Sequence, residues 1–185
     1  MESATELGLF IRAVSYSADK HRFQRRKGVD APPYINHAIE VADLLANLGG
    51  VDELPTLLAA ILHDTVEDTD ATYEELEREF GQEVRLLVAE VTDDKDLPRV
   101  ERKRLQVERA PRMSPRAKQI KIADKICNVR DVVCNPPADW SVKTRREYLA
   151  WAERVVEGCR GANPNLTRYF DEVLREAWSR LGRET

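Results

Sequence analysis

Apolar residues recur along the chain with the 3.6-residue period of amphipathic helices. Two clear runs are Ile39, Leu44, Leu45 and Leu48, and then Leu76, Phe80, Val84, Leu87 and Val91. This spacing places the apolar side chains on one face of a helix. Long alternating runs, which would indicate β-strands, are absent from the sequence. The pattern therefore predicts an all-α fold.

Breaks rich in proline and glycine divide the chain into about eight or nine predicted helices. The predicted ranges are 4–20, 35–48, 54–66, 72–79, 81–92, 99–110, 115–133, 141–160 and 164–181. Capping signals mark several starts: Thr72 with Glu75, Ser141, and Ser114 before Pro115. Without an internal repeat or a linker, residues 1–185 are expected to form a single domain, with the helix 164–181 packed on it.

The overall charge excludes some classes of partner. The formal net charge is −4 although 34% of the residues are charged, so a protein that coats nucleic acid or an anionic membrane is not expected. The longest apolar run, residues 57–62, is far shorter than a membrane span, and the N-terminus carries Glu2 and Glu6 where a secretory signal would carry Lys or Arg, so a cytoplasmic protein is expected. Cys127, Cys134 and Cys159 lack the C-x-x-C spacing of zinc or redox sites and are expected to be free thiols.

His63 ends that apolar run, and the residues after it are unusually acidic. The first carboxylates after it are Asp64, Glu67, Asp68 and Asp70, and no basic residue occurs before Arg78. Carboxylates at the C-terminus of a helix oppose its dipole at a cost of roughly 0.3–1 kcal/mol each, so a compensating cation is expected. A divalent metal ion would supply it. The alternative is a capped helix end without a metal.

Helix geometry limits how these residues could share an ion. Adjacent residues on a regular helix diverge by about 100°, so His63 and Asp64 share an ion only at the edge between them or where the helix ends. Glu67 lies about one turn further on. His37 and Asp124 offer ligands from two other predicted helices. Two imidazoles and two carboxylates leave coordination positions for water or phosphate, and they suit Mn²⁺, Fe²⁺ or Zn²⁺ without choosing between them.

Several motifs together resemble the hydrolase domain of the RelA/SpoT family. The central ones are A-I-L-H-D-T-V-E-D-T at 60–69, P-Y-I-N-H at 33–37 and K-I-A-D-K-I-C-N-V-R-D at 121–131. Supporting segments are H-R-F-Q-R-R-K at 21–27, V-T-D-D-K-D-L-P at 91–98, E-R-K-R-L-Q at 101–106 and E-Y-L-A-W-A at 147–152. The resemblance covers roughly residues 7–160. It implies an HD-domain helical bundle.

The resemblance also implies an activity. Members of this family hold one Mn²⁺ ion, which here would be bound by His37, His63, Asp64 and Asp124. The implied reaction is hydrolysis of guanosine tetra- or pentaphosphate, (p)ppGpp, to GDP or GTP and pyrophosphate. Glu67 and Asp68 would position or deprotonate the attacking water. Because the chain ends where long relatives continue into a synthetase, we expect a stand-alone small alarmone hydrolase of the Mesh type without synthetase activity.

Further residues are implied as nucleotide contacts. Arg26 and Lys27 match the base-contacting pair of the family, Asn128 matches a nucleoside contact, and Tyr148 matches a ribose or phosphate contact. Asn128 lies four residues after Asp124, so the two share one helix face. Arg99 is a further expected phosphate contact. Some relatives have Arg four residues before the tyrosine, where this chain has Thr144, so the side chain that meets the outer phosphates stays open.

Structural interpretations compete with these roles. The basic residues 20–27 could form a solvated helix end. The basic residues Lys95, Arg99, Arg102, Lys103 and Arg104 alternate with carboxylates, a pattern typical of a self-paired, solvated surface. His21 lacks a carboxylate at helical spacing and is expected to be a surface or structural histidine.

Other functions use the same kind of site. A metal and a Glu-Asp pair would also serve an NADPH 2′-phosphatase or a nucleotidase. A non-catalytic alarmone sensor would keep the fold without hydrolysis, although the intact Glu67 and Asp68 argue against it. In each case the partner is a small nucleotide, and the protein is expected to be a monomer or a homodimer.

Overall fold

Helices make up the regular structure of the computed structural model, which describes residues 5–183. The helices are α1 Glu6–Lys20, α2 Ile35–Asp43, α3 Leu54–Leu62, α4 Thr65–Asp68, α5 Tyr73–Phe80, α6 Gln82–Val91, α7 Arg99–Arg109, α8 Pro115–Cys134, α9 Val142–Glu157 and α10 Pro164–Arg183. Among the described residues, β-type pairing is limited to an isolated bridge between Arg25 and Pro33. The prediction of an all-α fold is confirmed. The predicted start of the first helix at residue 4 lies outside the described residues.

The capping signals read from the sequence act where they were expected. Thr72 accepts a hydrogen bond from the backbone N–H of Glu75, and the Glu75 carboxylate accepts one from the backbone of Thr72, which completes a capping box. The hydroxyl of Ser114 caps α8, and that of Ser141 caps α9. These side chains satisfy N–H groups that a helix start leaves without partners.

The helix predicted over 54–66 is wrong in its C-terminal part, because α3 ends at Leu62 and a separate single turn, α4, follows. Two side chains just beyond the end satisfy its last carbonyls. His63 Nδ1 lies 2.8 Å from the oxygen of Ala60, and the Thr65 hydroxyl donates to the oxygen of Leu62 over 2.7 Å. Such local bonds compete with continued helix. The chain therefore turns at His63 and Asp64.

Two other predicted helices also differ at their ends. The range 35–48 is helical throughout, but its last part, Leu44–Leu48, is a π-helical turn. The Gly49 N–H bonds to the oxygen of Leu44 across this wider turn. The helix predicted to reach residue 160 ends at Glu157 instead.

The helix α3 lies inside the bundle. Its residues 58–62 are almost completely buried, and it packs against α1, α2, α6 and α8. The long helix α8 contacts α2, α3, α6, α9 and α10, with Ile120, Ile122 and Ile126 fully buried. Burial of apolar side chains on this scale is the main driving force for folding. It fixes α2, α3 and α8 against one another.

The C-terminal helix α10 covers α8 and α9. Its buried face consists of Leu166, Phe170, Leu174, Ala177 and Leu181, which recur at helical spacing. None of the helices within residues 5–183 combines the length and the apolar character that crossing a bilayer requires.

Phe170 tests the contribution of α10 to stability, because its side chain is fully buried. Phe170→Ala should lower the free energy of unfolding by about 3–5 kcal/mol, since it removes buried apolar surface and leaves a cavity. Urea denaturation measures this loss. The exposed Glu172 on the same helix provides the control: Glu172→Ala should change stability by less than about 0.5 kcal/mol. A loss below about 1 kcal/mol for Phe170→Ala would contradict the packing.

Candidate metal centre and nucleotide cleft

Two buried histidines face each other between α2 and the end of α3. The rings of His37 and His63 have centroids 5.3 Å apart, and each residue is 3% exposed. The Ala60 oxygen accepts from His63 Nδ1, so Nε2 is the ring nitrogen that would offer a lone pair to a cation. That Nε2 and both ring nitrogens of His37 have no hydrogen-bond partner. Buried polar atoms without partners are rare and call for an explanation.

Two carboxylates face these nitrogens. Asp124 Oδ1 on α8 lies 3.3 Å from His37 Nε2 and 4.0 Å from His63 Nε2. Asp64 Oδ2 lies 2.9 Å from His63 Nε2 and 3.9 Å from His37 Nε2, and it also accepts a hydrogen bond from the hydroxyl of Tyr34. Asp64 reaches this point because α3 has ended. The sequence left two ways for His63 and Asp64 to share an ion, and the structure shows the one in which the helix ends at the pair.

The electrostatics of the four residues favour a cation between them. Burial lowers the pKa of His37. Burial also favours neutral His63, but Asp64 outweighs it and raises the pKa of His63 to about 9. Burial favours the neutral acid at Asp64 and Asp124, yet His63 and Lys125 respectively hold their pKa values below the ordinary one.

These groups fit a divalent metal ion. Ligand atoms of His37, His63 and Asp124 lie within 4.8 Å of one another, close enough to bind one ion. An ion at this point would give the unpartnered imidazole nitrogens a ligand and would balance the carboxylates. The third contact, Asp124, is held in place by its neighbours, because Lys125 donates to Oδ2 over 2.9 Å and the amide of Asn128 donates to Oδ1.

The pair Glu67 and Asp68 lies beside this centre, on α4. Glu67 Oε2 accepts from the backbone N–H of Asp93 over 3.0 Å, and its Oε1 lies 3.4 Å from Arg102 Nη1. Burial, followed by the charge of Asp64, raises the pKa of Glu67. Asp68 accepts from Gln24 over 2.9 Å and from the ammonium group of Lys95. Both carboxylates line the cleft next to the metal centre.

The cleft is about 530 Å³ in volume and is lined by the loop after α1 and by residues of α4, α7, α8 and α9. Its walls carry nine cationic side chains, namely Arg25, Arg26, Lys27, Lys95, Arg99, Arg102, Lys103, Lys121 and Lys125. Six carboxylates accompany them: Asp64, Glu67, Asp68, Asp93, Asp124 and Asp131. The cleft is therefore positive in a chain of net charge −4. A positive cleft concentrates polyanions.

All of the expected nucleotide contacts lie in this cleft. Arg26 is held by Asp131 at 2.7 Å and by the Asn128 oxygen at 2.7 Å, so the loop after α1 is fastened to α8. Gly28 allows this close approach, because a Cβ there would lie 2.2 Å from the backbone oxygen of Asn135. Lys27 is exposed beside it. The basic residues 26 and 27 are thus part of the cleft wall.

Aromatic side chains form the opposite wall. Tyr148 is half-buried and contacts Trp140 and Trp151, with ring centroids 5.6 and 5.1 Å away, and burial raises its pKa to about 12. The guanidinium of Arg99 lies 5.5 Å from the centre of the Trp140 ring. Neither tryptophan was expected from the sequence.

The structure corrects one of the sequence interpretations and decides between the two alternatives left for His21. Lys95, Arg102 and Lys103 line the cleft, and only Arg104 of that segment is a solvated, self-paired residue, bound to Glu101 and Glu108. Arg102 and Lys103 lie three and four residues after Arg99, so helical spacing alone would have placed them on the same helix face as Arg99. His21 is structural but not a surface residue: it is 3% exposed and stacks on Tyr34.

The segment before Tyr148 is the one where the sequence left the phosphate contact open. Thr144 lies at the start of α9, where its hydroxyl is 2.9 Å from that of Ser141. Arg145 beside it is buried and does not line the cleft. Neither residue lines the cleft, at the point where some relatives have an arginine.

Comparison with known proteins places the chain in a family. A family model for the HD domain matches residues 13–152. The guanosine-3′,5′-bis(diphosphate) 3′-pyrophosphohydrolase MESH1 of Homo sapiens is 48% identical over 96% of this chain and 97% of its own length. MESH1 of Xenopus tropicalis is 47% identical over 94% of this chain and 97% of its own length. The chain belongs to the MESH1 family of HD-domain proteins. The resemblance to the RelA/SpoT hydrolases is thereby confirmed.

A solved structure supports the fold of this MESH1-family chain. It is that of a metazoan ortholog of SpoT, described as hydrolysing ppGpp and playing a role in starvation responses. The two structures superpose with a TM-score of 0.89, and the sequences are 48% identical. The superposition covers 91% of this chain and 94% of the solved one. The HD-domain helical bundle predicted from the sequence is confirmed.

The raised pKa of His63 makes metal binding dependent on pH. A cation must displace the proton from His63, whose pKa is about 9, so the apparent affinity for Mn²⁺ should rise about tenfold per pH unit between pH 6 and 8. Calorimetric titration of the metal-free protein at pH 6, 7 and 8 measures this dependence. His63→Ala should abolish binding at each pH. Wild-type affinity that does not change with pH would contradict the assignment.

Proposed function

We propose that this MESH1-family protein hydrolyses guanosine 3′,5′-bis(diphosphate) to GDP and pyrophosphate, and the pentaphosphate to GTP and pyrophosphate. The observation that carries the proposal is a positive cleft lined by Asp64 and Asp124, the two carboxylates that face the buried rings of His37 and His63. Near-full-length relatives named as 3′-pyrophosphohydrolases of this nucleotide support the choice of substrate.

The proposed cofactor is one Mn²⁺ ion, bound by His37, His63, Asp64 and Asp124. Mixed nitrogen and oxygen ligands suit Mn²⁺, and also accept Fe²⁺ or Zn²⁺. A bound divalent cation supplies Lewis acidity, which lowers the pKa of water and offsets the charge of a phosphate oxygen. Lys125 and Asn128 keep the carboxylate of Asp124 in one orientation, so this ligand is preorganised.

Glu67 is the proposed general base, with Asp68 as its partner in positioning water. Both oxygens of Glu67 are held, one by the Asp93 backbone and one by Arg102, so the carboxylate has a defined direction. Burial raises its pKa and brings it closer to neutral pH, where a carboxylate accepts a proton more effectively. Glu67 would take the proton of the water that attacks the phosphorus next to the ribose 3′-oxygen.

The remaining predicted contacts would hold the nucleotide. Arg26 presents a planar guanidinium that is already fixed by Asp131 and Asn128, which suits stacking on a purine. Lys27 and Arg99 are exposed cations at the cleft wall and suit phosphate oxygens. Tyr148 and Asn128 line the same cleft, Asn128 in contact with Asp124, and would contact the ribose or its phosphates.

The direct test is incubation of the purified protein with guanosine tetraphosphate and Mn²⁺. We expect release of pyrophosphate in equimolar amount to GDP, and loss of both products when a chelator is added. The same assay with NADPH and with deoxynucleotides separates other phosphohydrolase activities. Phosphate release from those compounds alone would overturn the proposed substrate, and binding without turnover of any of them would indicate a sensor.

Glu67→Gln separates catalysis from metal binding. Because glutamine keeps the shape but takes no proton, kcat should fall by about 10²- to 10⁴-fold while the affinity for Mn²⁺ and the KM change little. Steady-state kinetics and calorimetry measure the three quantities. Asp70→Asn is the matched control, since Asp70 is an exposed carboxylate paired with Lys20. Loss of metal from the Gln variant would instead make Glu67 a ligand.

A further inference from the structure

Lys103 occupies an unusual position on the cleft wall. Its Nζ lies 5.3 Å from the centre of the Tyr148 ring and 4.7 Å from the centre of the Trp151 ring. The side chain is half-buried and lines the cleft. The indole N–H of Trp151 donates to the backbone oxygen of Lys103 over 3.0 Å, which ties α7 to α9 at this residue. Lys103 is therefore held in place through both its backbone and its side chain.

Within residues 5–183, Lys103 differs from the cleft cations that are neutralised by carboxylates. Lys95 pairs with Asp68, Arg102 with Glu67, Arg26 with Asp131 and Lys125 with Asp124. Lys103 has no carboxylate at ion-pair distance. Two aromatic rings stabilise its ammonium group instead, and ring faces attract a cation without cancelling its charge.

The neighbours of Lys103 increase the local positive potential. Lys125 Nζ lies 4.6 Å from the centre of the same Trp151 ring, so two ammonium groups share one indole. Burial lowers the pKa of Lys103, and the charges of Arg99 and Lys125 lower it further. A phosphate at this point would reduce the repulsion between the cations. Lys103 could donate to it without first breaking an ion pair with a carboxylate.

We propose that Lys103 binds a phosphate group of the nucleotide and that Tyr148 and Trp151 form the aromatic seat that keeps its charge available. The inference rests on the proposed function for the identity of the substrate. Lys103 would thereby supply a phosphate contact in a wall that neither Thr144 nor Arg145 lines.

Lys103→Met tests the proposal in steady-state hydrolysis of guanosine tetraphosphate. Methionine keeps a flexible apolar stem between the rings but removes the charge, so the KM should rise about tenfold while kcat stays within about threefold. Lys103→Arg should retain a KM within about threefold of wild type. The matched control is Arg104→Met, which removes one cation from the next residue, outside the cleft, and should leave both constants unchanged. An unchanged KM for Lys103→Met would overturn the proposal.

Direct binding separates this inference from the proposed activity. Calorimetry with GDP, inorganic pyrophosphate and guanosine does not require turnover, so it remains informative if the wild type fails to hydrolyse guanosine tetraphosphate and the proposed function falls. Lys103→Met should weaken binding of GDP or pyrophosphate by about tenfold and leave guanosine unaffected. Equal weakening of guanosine would indicate a merely structural lysine and would overturn the phosphate contact.

Discussion

Two imidazoles and a carboxylate buried together at the junction of α2, α3 and α8 are the constraint on which the rest of the molecule depends. His37 and His63 are each 3% exposed and Asp124 is 7% exposed, so none of them is well solvated. Isolated polar or charged groups at such positions would destabilise the fold by several kcal/mol. They are tolerated because they face one another and because α8 adds Lys125 and Asn128 around Asp124. A divalent cation would complete the set.

The turn after α3 makes this arrangement possible. If the helix continued through residue 66, the side chains of His63 and Asp64 would diverge by about 100°. Because the His63 ring and the Thr65 hydroxyl satisfy the last carbonyls of α3, the helix ends at Leu62 and both side chains reach the same point. The same turn starts α4, which places Glu67 and Asp68 at the edge of the cleft. One local feature thus positions both the candidate ligands and the candidate base.

The cleft contains two kinds of cation, those paired with carboxylates and those that lie against aromatic rings. Arg102 holds Glu67, Lys95 holds Asp68 and Asp131 holds Arg26, so the walls are ordered before any nucleotide binds. Lys103 and Arg99 lie against aromatic rings instead and remain uncompensated. Ordered, partly uncompensated cations suit a ligand with many phosphate oxygens, because little reorganisation is needed on binding. This is the common basis of the proposed substrate and of the role inferred for Lys103.

The sequence by itself determined the helical fold, most of the helix starts and the His-Asp and Glu-Asp pairs, because periodicity, capping and local charge act over a few residues. The roles of Arg26, Asn128 and Tyr148 came from resemblance, and the tertiary structure places them in one cleft. The end of α3 before His63 was missed because it depends on two local side-chain bonds that hydrophobic periodicity does not reveal. Only tertiary structure decided that Lys103, Trp140 and Trp151 face the site. Those facts depend on how α7, α8 and α9 pack across long stretches of chain. In the sequence, Lys103 and Arg104 are adjacent basic residues that nothing distinguishes. Only the packing of α7 against α9 places Lys103 against two aromatic rings and leaves Arg104 in solvent.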